Sequence, residues 1–423
     1  MINILNKSWP LFFGLALIMI GNGLQGTLLG VRASIEDFNT AATGFMMSLY
    51  YVGFVGGSYL VPKMVSRVGH IRVFTALASL ASTMVLLHGL FVDVNLWIII
   101  RMLTGFSYAG LFIVVESWLN DTSTNKTRGK ILSIYQVITY GGLVAGQFLL
   151  TVADPSGITL FVLTSILVSV ALLPISLSSR PAPAFAEPET ISLKTLLDRS
   201  PLGIVGAFGS GLGASILFSL GAVYAAEIGL SLAQISTFMA AYMIGGVAFQ
   251  IPIGWLSDKY DRRKIIIGIC FLAFLSAISC YFAAGSSAIF YISFFCLGGM
   301  SLSIYGQCLA HMNDHISEKQ YVAAGSTLIF VNGVGSAIGP FAISLFMSKI
   351  GINVFFPIIA LIFGGLFAYG VYRTSRRPPV PLDQQTDSIT MPARSTPFVM
   401  NIMEESAPTM KDMNSKDSPE KNR

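Results

Sequence analysis

The chain has 423 residues, of which 53% are hydrophobic and 11% charged, with a mean hydropathy of +0.70 and a formal net charge of +5. Soluble domains carry about 25% charged residues, so this chain cannot clothe a core of its own size in polar groups, and lipid must be its main solvent. That excludes a soluble enzyme, a secreted disulfide scaffold and a nucleic-acid-binding domain.

Met1–Trp9 lacks the basic region, short apolar core and small-residue cleavage site of a signal peptide. The first apolar run continues to about Val31 and is long enough to stay in the bilayer. A hydrocarbon core about 30 Å thick needs roughly 20 apolar helical residues. Twelve such runs follow in chain order: 9–31, 42–62, 71–91, 94–118, 131–153, 158–176, 201–226, 233–256, 264–283, 287–311, 321–346 and 352–372. The basic residues between them alternate sharply. One side collects Lys63, Arg67 and Arg72, then Lys126, Arg128 and Lys130, then Arg180, Lys194 and Arg199, then Lys259, Arg262, Arg263 and Lys264, and finally Arg373, Arg376 and Arg377; the other side receives only Arg32 and Lys349. The positive-inside rule makes the first side cytoplasmic and puts both termini there. The net charge is thus a topological mark. The four cysteines, Cys270, Cys280, Cys296 and Cys308, lie within apolar runs and read as buried small hydrophobes, not as disulfides or zinc ligands.

The expected organisation is an all-α membrane protein with six spans over residues 1–176, a cytoplasmic linker over 177–200 with three prolines, and six spans over 201–373. Residues 374–423 are rich in Pro, Ser, Thr, Asn and charge and read as a disordered cytoplasmic tail, a solvated end or a regulatory segment. The halves repeat. Asn120-Asp121 and Asn313-Asp314, Gly105 and Gly298, Gly142 and Gly335, and Gly146 and Gly339 all stand 193 residues apart, while His70 and Arg262 stand 192 apart. Matches in the same order at one offset indicate two parallel six-helix bundles, an architecture of transporters in which the solute site lies near the midplane between the halves.

The sharpest local signal is Gly254-Trp-Leu-Ser-Asp258-Lys259-Tyr-Asp261-Arg262-Arg263-Lys264, in the short loop between spans 8 and 9. An acid at a helix end beside clustered bases can form a charge-assisted lock that must break when one face opens. The loop closely resembles the signature loop of the major facilitator superfamily, which implies a gate built from Gly254, Asp258, Lys259, Arg262, Arg263 and Lys264. The matching loop of the first half, Pro62 to Arg72, keeps its bases but has Ser66 in place of the acid and Pro62 in place of the glycine. In span 4, Arg101 followed by small residues resembles the superfamily pattern associated with proton transfer. In span 5, Gly142-Leu-Val-Ala-Gly146-Gln147 partly resembles the antiporter motif, with Gln147 where that motif has proline; the Gly-Pro pair stands instead in span 11, as Gly339-Pro340. The Val114-Val115-Glu116-Ser117 run and Arg128-Gly129-Lys130 resemble a poorly characterised bacterial subgroup related to drug and sugar porters. The resemblance covers residues 9–373 and implies a bacterial inner-membrane carrier.

Charged groups inside spans are functional candidates by default. Glu116 and Arg101 are therefore the expected proton-coupling residues, although Arg101 can also snorkel outward. Asn22, Gln25, Gln136, Tyr140, Gln307 and Asn332 are the expected solute-binding residues, with Gln250 and His311 as further polar groups in spans. Each must find a partner in lipid, through another helix or a ligand. As a set they describe a cavity that is polar but poor in charge. The expected function is secondary transport of a small solute by alternating access, coupled to protons, as a monomer in lipid with no cofactor and no enzymatic activity. An uncoupled facilitator and a non-transporting sensor that signals through its tail are the alternatives.

Overall fold

The computed structural model describes residues 2–122, 127–176, 191–285, 287–317, 320–376, 380–381 and 385–386. The helices in order are α1 (Ile2–Ile35), α2 (Thr40–Val68), α3 (His70–Leu90), α4 (Val94–Thr122), α5 (Arg128–Leu149), α6 (Thr159–Val170), α7 (Leu172–Ser176), α8 (Leu193–Arg199), α9 (Pro201–Glu227), α10 (Leu232–Lys259), α11 (Arg262–Phe282), α12 (Ala288–Asn313), α13 (Tyr321–Ile350) and α14 (Phe355–Thr374). With α6 and α7 taken as one span, twelve helical segments among the described residues are long and apolar enough to cross a membrane. Several outrun the bilayer: α13, with 30 residues, is about 45 Å long against a hydrocarbon core of about 30 Å. Hydrophobic runs mark where lipid begins, whereas the helices continue until a cap or glycine stops them.

Local chemistry sets those ends. Asn39 Oδ1 accepts the Ala41 N–H at 2.8 Å and opens α2. Gly69, at φ +88°, both closes α2 and precedes α3; that left-handed conformation lets two helices meet across one residue. Ser231 and Gln234 form a reciprocal capping box at α10. Ser200 caps α9 with Pro201 in its first turn.

Burial marks the same inner pair of helices in each half. The most apolar windows of α1, α4, α9 and α12 are 72, 72, 78 and 61% buried, while those of α11 and α14 are 33% buried and that of the α6–α7 span is 39% buried. The first four are therefore interior, and the others face lipid with side chains such as Phe282, Leu361 and Ile166.

The repeat seen in the sequence is a repeat of helix crossings. A Cβ on Gly105 of α4 would stand 2.7 Å from the Tyr50 carbonyl carbon of α2, and one on Gly298 of α12 would stand 2.7 Å from that of Tyr242 on α10. The reciprocal glycines behave alike: Gly53 faces the Met102 carbonyl carbon and Gly245 that of Phe295, each at 2.8 Å. Likewise Gly142 and Gly146 of α5 press on the α1 backbone, as Gly335 and Gly339 of α13 press on that of α9. Small residues let helix backbones approach to this distance, which is a main source of packing energy where lipid removes the hydrophobic drive.

Residues 177–190 of the expected linker lie outside the described residues. Its end is structured: Ile191 exchanges bonds with Thr327 Oγ1 of α13, donating at 3.3 Å and accepting at 2.8 Å, and α8 follows with Leu196 fully buried. Most of the expected disordered tail also lies outside the described residues, but Thr386 rests against the end of α12, so the tail is not solvated throughout.

Candidate functional site

The two halves meet along two antiparallel seams related by the repeat. In the first, α2 runs against α13. Ser48 Oγ accepts the Phe341 N–H at 2.9 Å, Phe45 meets the Phe341 ring at 5.2 Å, and Tyr59 meets Phe330 at 5.8 Å. Pro340 removes one backbone donor from α13 and loosens the helix at this point. The Gly339-Pro340 pair thus lies on the seam. In the second, α5 runs against α10: Gln250 Nε2 donates to Tyr140 Oη at 2.9 Å, and Gln147 Nε2 approaches Met243 Sδ at 3.8 Å. Between the seams, Ser219 Oγ of α9 donates to Tyr51 Oη of α2 at 3.3 Å. Gly30 of α1 lies close to Ala222 and Val223 of α9.

Gln147, which replaces the expected proline, ties α5 to α1. Its Oε1 accepts from Thr27 Oγ1 at 2.5 Å, and its Nε2 donates to the Gly23 carbonyl at 2.9 Å. Proline could supply neither bond.

Arg101 is only 5% exposed, so its side chain is enclosed by protein. Its guanidinium stacks over the Tyr50 ring at 4.5 Å, a cation–π contact at the crossing of α4 and α2. Glu116 is fully buried and accepts from Tyr135 Oη of α5 at 2.7 Å. Ser117 beside it meets His70 Nε2 at 3.0 Å, which joins the start of α3 to α4. Arg101 and Glu116 are thus held by different partners on one helix.

The six expected solute-binding residues divide. Asn22, Gln25, Tyr140 and Gln307 are buried, and Gln136 is partly buried. Among the described residues, Gln25 Nε2, Gln136 Nε2 and Gln307 Oε1 are buried polar atoms without a protein partner. Tyr140 is held in the bond from Gln250. Asn332 instead braces α13 to α9, its Nδ2 donating to the Ala207 carbonyl at 3.0 Å and to Ser210 Oγ at 3.1 Å. The polar set is therefore dispersed over several helices.

The signature loop is organised around Arg262, which is 1% exposed at the start of α11. Its Nε donates to Ser257 Oγ at 3.0 Å, and its Nη1 lies 2.7 Å from both carboxylate oxygens of Asp314 at the end of α12. Asp258, the acid that the motif singles out, stands farther from Arg262, at 3.6 Å. Asp314 was visible in the sequence only as a member of the repeated Asn-Asp pair. Asp261 caps α11 and pairs with Arg263 at 2.8 Å. Burial raises the Asp261 carboxyl, but the bonds and charge of Arg263, with Lys264 beyond, outweigh it and hold its pKa below the usual carboxylate range. Lys259 lies over the Trp255 ring at 3.8 Å. Gly254 is buried in α10, and Lys264 is exposed.

The family model described as Major Facilitator Superfamily matches residues 11–224 and 203–403. The chain belongs to the Major Facilitator Superfamily. Among relatives in this superfamily, it is 26% identical over 352 residues to an uncharacterized MFS-type transporter YcaD of Escherichia fergusonii, covering 83% of this chain and 91% of that protein. It is 27% identical over 353 residues to the YcaD of an Escherichia coli O139:H28 strain, with the same coverage. Solved superfamily folds are also similar. The nucleoside transporter NupG superposes with a TM-score of 0.72 at 13% identity, covering 88% of this chain and 100% of that one. A bacterial homolog to the human lysosomal transporter Spinster superposes with a TM-score of 0.65 at 14% identity, covering 93% and 96%. As a major facilitator protein, the chain is a multi-pass membrane transporter of a solute.

The residues that sequence reasoning missed are those whose partners lie far along the chain: Thr27 with Gln147, Tyr51 with Ser219, Ser48 with Phe341, and Asp314 as the main partner of Arg262. The glycine-to-proline ordering in spans 5 and 11 did carry a signal, since Gln147 and Pro340 both lie on a seam.

Proposed function

We propose that the chain is a proton-coupled secondary transporter of a small, uncharged, hydrogen-bonding solute in a bacterial inner membrane. It works as a monomer, with both ends and the Arg262 loop on the cytoplasmic side. The observation that carries this reading is the polarity of the contact between the halves. Among the described residues it carries neutral side-chain bonds, Gln250 to Tyr140 and Ser219 to Tyr51. Neutral bonds of about 1 kcal/mol each in membrane interiors can be exchanged for bonds to a solute without stranding a charge, so rocking of one half on the other has a low cost. Gln25, Gln136 and Gln307 supply amide edges that a hydroxylated or amide-bearing solute would satisfy. A strongly anionic solute would instead require several unpartnered cations, and Arg101 is already engaged by Tyr50.

Glu116 is the proposed proton carrier. It is a carboxyl held inside the bundle, where one oxygen accepts the Tyr135 hydroxyl at 2.7 Å. Protonation would remove the charge that strengthens that bond, and deprotonation would restore it.

The test is solute flux in proteoliposomes under an imposed pH gradient. Sugars, amino acids, carboxylates and lipophilic cations are screened, with Glu116→Gln beside the parent. Solute-driven proton movement that disappears in Glu116→Gln supports the reading. Proton-coupled flux that survives the substitution removes Glu116 from the mechanism. Solute flux that ignores the pH gradient establishes the uncoupled facilitator instead.

A further inference from the structure

We infer that the basic end of the C-terminal half is a docking site for the chain's own tail, and that it captures Thr386 through the Arg262–Asp314 pair. Both side chains of the pair are 1% exposed. Burying an ion pair is unfavourable unless the lone pairs and protons left over from the pair itself are also satisfied. Arg262 uses Nε on Ser257 and Nη1 on Asp314, which leaves Nη2 facing Asp258 at 3.6 Å. The tail completes the set. Arg262 Nη2 donates to the Thr386 carbonyl. The Thr386 N–H donates to Asp314 Oδ1 at 2.8 Å, and its hydroxyl donates to the same oxygen at 2.9 Å. Arg262 Nη1 lies 3.4 Å from that hydroxyl oxygen, and the Ala310 carbonyl lies 3.5 Å from it.

The match is chemical as well as steric. An extended peptide shows one N–H and one C=O per residue, and a carboxylate beside a guanidinium is the complementary pair, with each bond charge-assisted. The hydroxyl adds a requirement that Ser or Thr meets and valine, of similar shape, does not. Beside it, Gln385 Nε2 donates to the Val380 carbonyl at 3.1 Å. Two elements then meet on one tail residue, the start of α11 through Arg262 and the end of α12 through Ala310 and Asp314, while Ser257 at the end of α10 holds Arg262 in place. The tail is thereby a strap that holds Arg262 towards α12. This assignment is independent of the solute and of proton coupling.

Amide hydrogen exchange on the full chain in lipid nanodiscs tests it without a solute. The Thr386 amide should exchange about tenfold or more slowly than in the free peptide, because its N–H is bonded to a buried carboxylate. Thr386→Val should lose most of that protection and Thr386→Ser should keep it. Thr386→Pro, which removes both the N–H and the hydroxyl without touching the bundle, should speed exchange at the start of α11 and the end of α12 by about two- to tenfold or more, the lower bound set by a single net hydrogen bond. A Thr386 amide that exchanges at the free-peptide rate overturns the docking. Equal behaviour of the Val and Ser variants overturns the hydroxyl requirement, and unchanged α11 and α12 amides in Thr386→Pro overturn the strap.

Discussion

Adding one methyl group at Gly105 should separate α2 from α4, and the same change at Gly298 should separate α10 from α12 by the same amount. At each position the new Cβ would lie 2.7 Å from a carbonyl carbon and closer still to its oxygen, and the obstacle is backbone, which cannot rotate away. Relief requires the helices to part by about 1 Å over a contact that continues through Gly53 or Gly245, so the cost falls at the upper end of the overpacking range, about 3 kcal/mol for each substitution. The control is Gly141, on the exposed face of α5, where a Cβ would meet nothing within 4 Å. There Gly→Ala should stabilise the helix by roughly 1 kcal/mol through propensity alone. Thermal unfolding of the purified protein in detergent reads both signs. Scaling the unfolding entropy by chain length turns 3 kcal/mol into a Tm loss of roughly 3–7 °C, the smaller value if the whole chain unfolds as one unit and the larger if one half does. Gly105→Ala and Gly298→Ala should match each other, their double variant should be close to additive because the sites share no partner, and Gly141→Ala should move the other way. A Gly105→Ala Tm within about a degree of the Gly141→Ala value would refute backbone contact as the reason for glycine at the crossing.

Asn332→Leu should lower stability by about 1 kcal/mol through loss of the bonds to Ala207 and Ser210, while solute affinity measured on the folded carrier stays unchanged; a shift in affinity without a shift in Tm would return Asn332 to the binding site. Gln147→Leu should cost about 1–2 kcal/mol by leaving the Thr27 hydroxyl and the Gly23 carbonyl without their partner, and adding Thr27→Val should recover part of it, a coupling that a double-mutant cycle of thermal stabilities would expose or deny. Asp261 has a pKa lowered in the folded chain, so its contribution is present above the ordinary carboxylate range and is lost as pH falls through the lowered value. Asp261→Asn, which keeps a capping oxygen, should therefore flatten the acid side of a Tm-against-pH profile below about pH 4 and leave the neutral side nearly level; a full acid limb in that variant would assign the pH dependence to other carboxylates.

The twelve spans were legible because lipid imposes a run length on any helix that crosses it, and the halves were legible because repeated crossings demand glycine at repeated positions. Gly105 and Gly298 could be paired by counting residues, and the structure gives each the same neighbour, a tyrosine carbonyl one helix away. The candidate site was legible only as a set of residue types. Glu116 and Arg101 stood out as charges in lipid, but nothing in the local sequence links Glu116 to Tyr135 or stacks Arg101 on Tyr50. Asn332 and Tyr140 look alike as polar residues in apolar runs, yet one braces two helices of the same half and the other bonds across the halves.

Composition and periodicity specify what a membrane segment must do alone: be apolar over about 30 Å, end in a cap, and place its bases on one side. Pairing between residues more than a hundred positions apart depends on how helices cross and in which register, and these follow from the packing of all twelve spans together. Arg262 shows the division. Its place in a basic loop at the start of a helix is written in the neighbouring residues, whereas its commitment to Asp314 and Thr386 exists only because the ends of α10, α11 and α12 converge and leave a buried charge whose remaining bonds had to be found elsewhere in the chain.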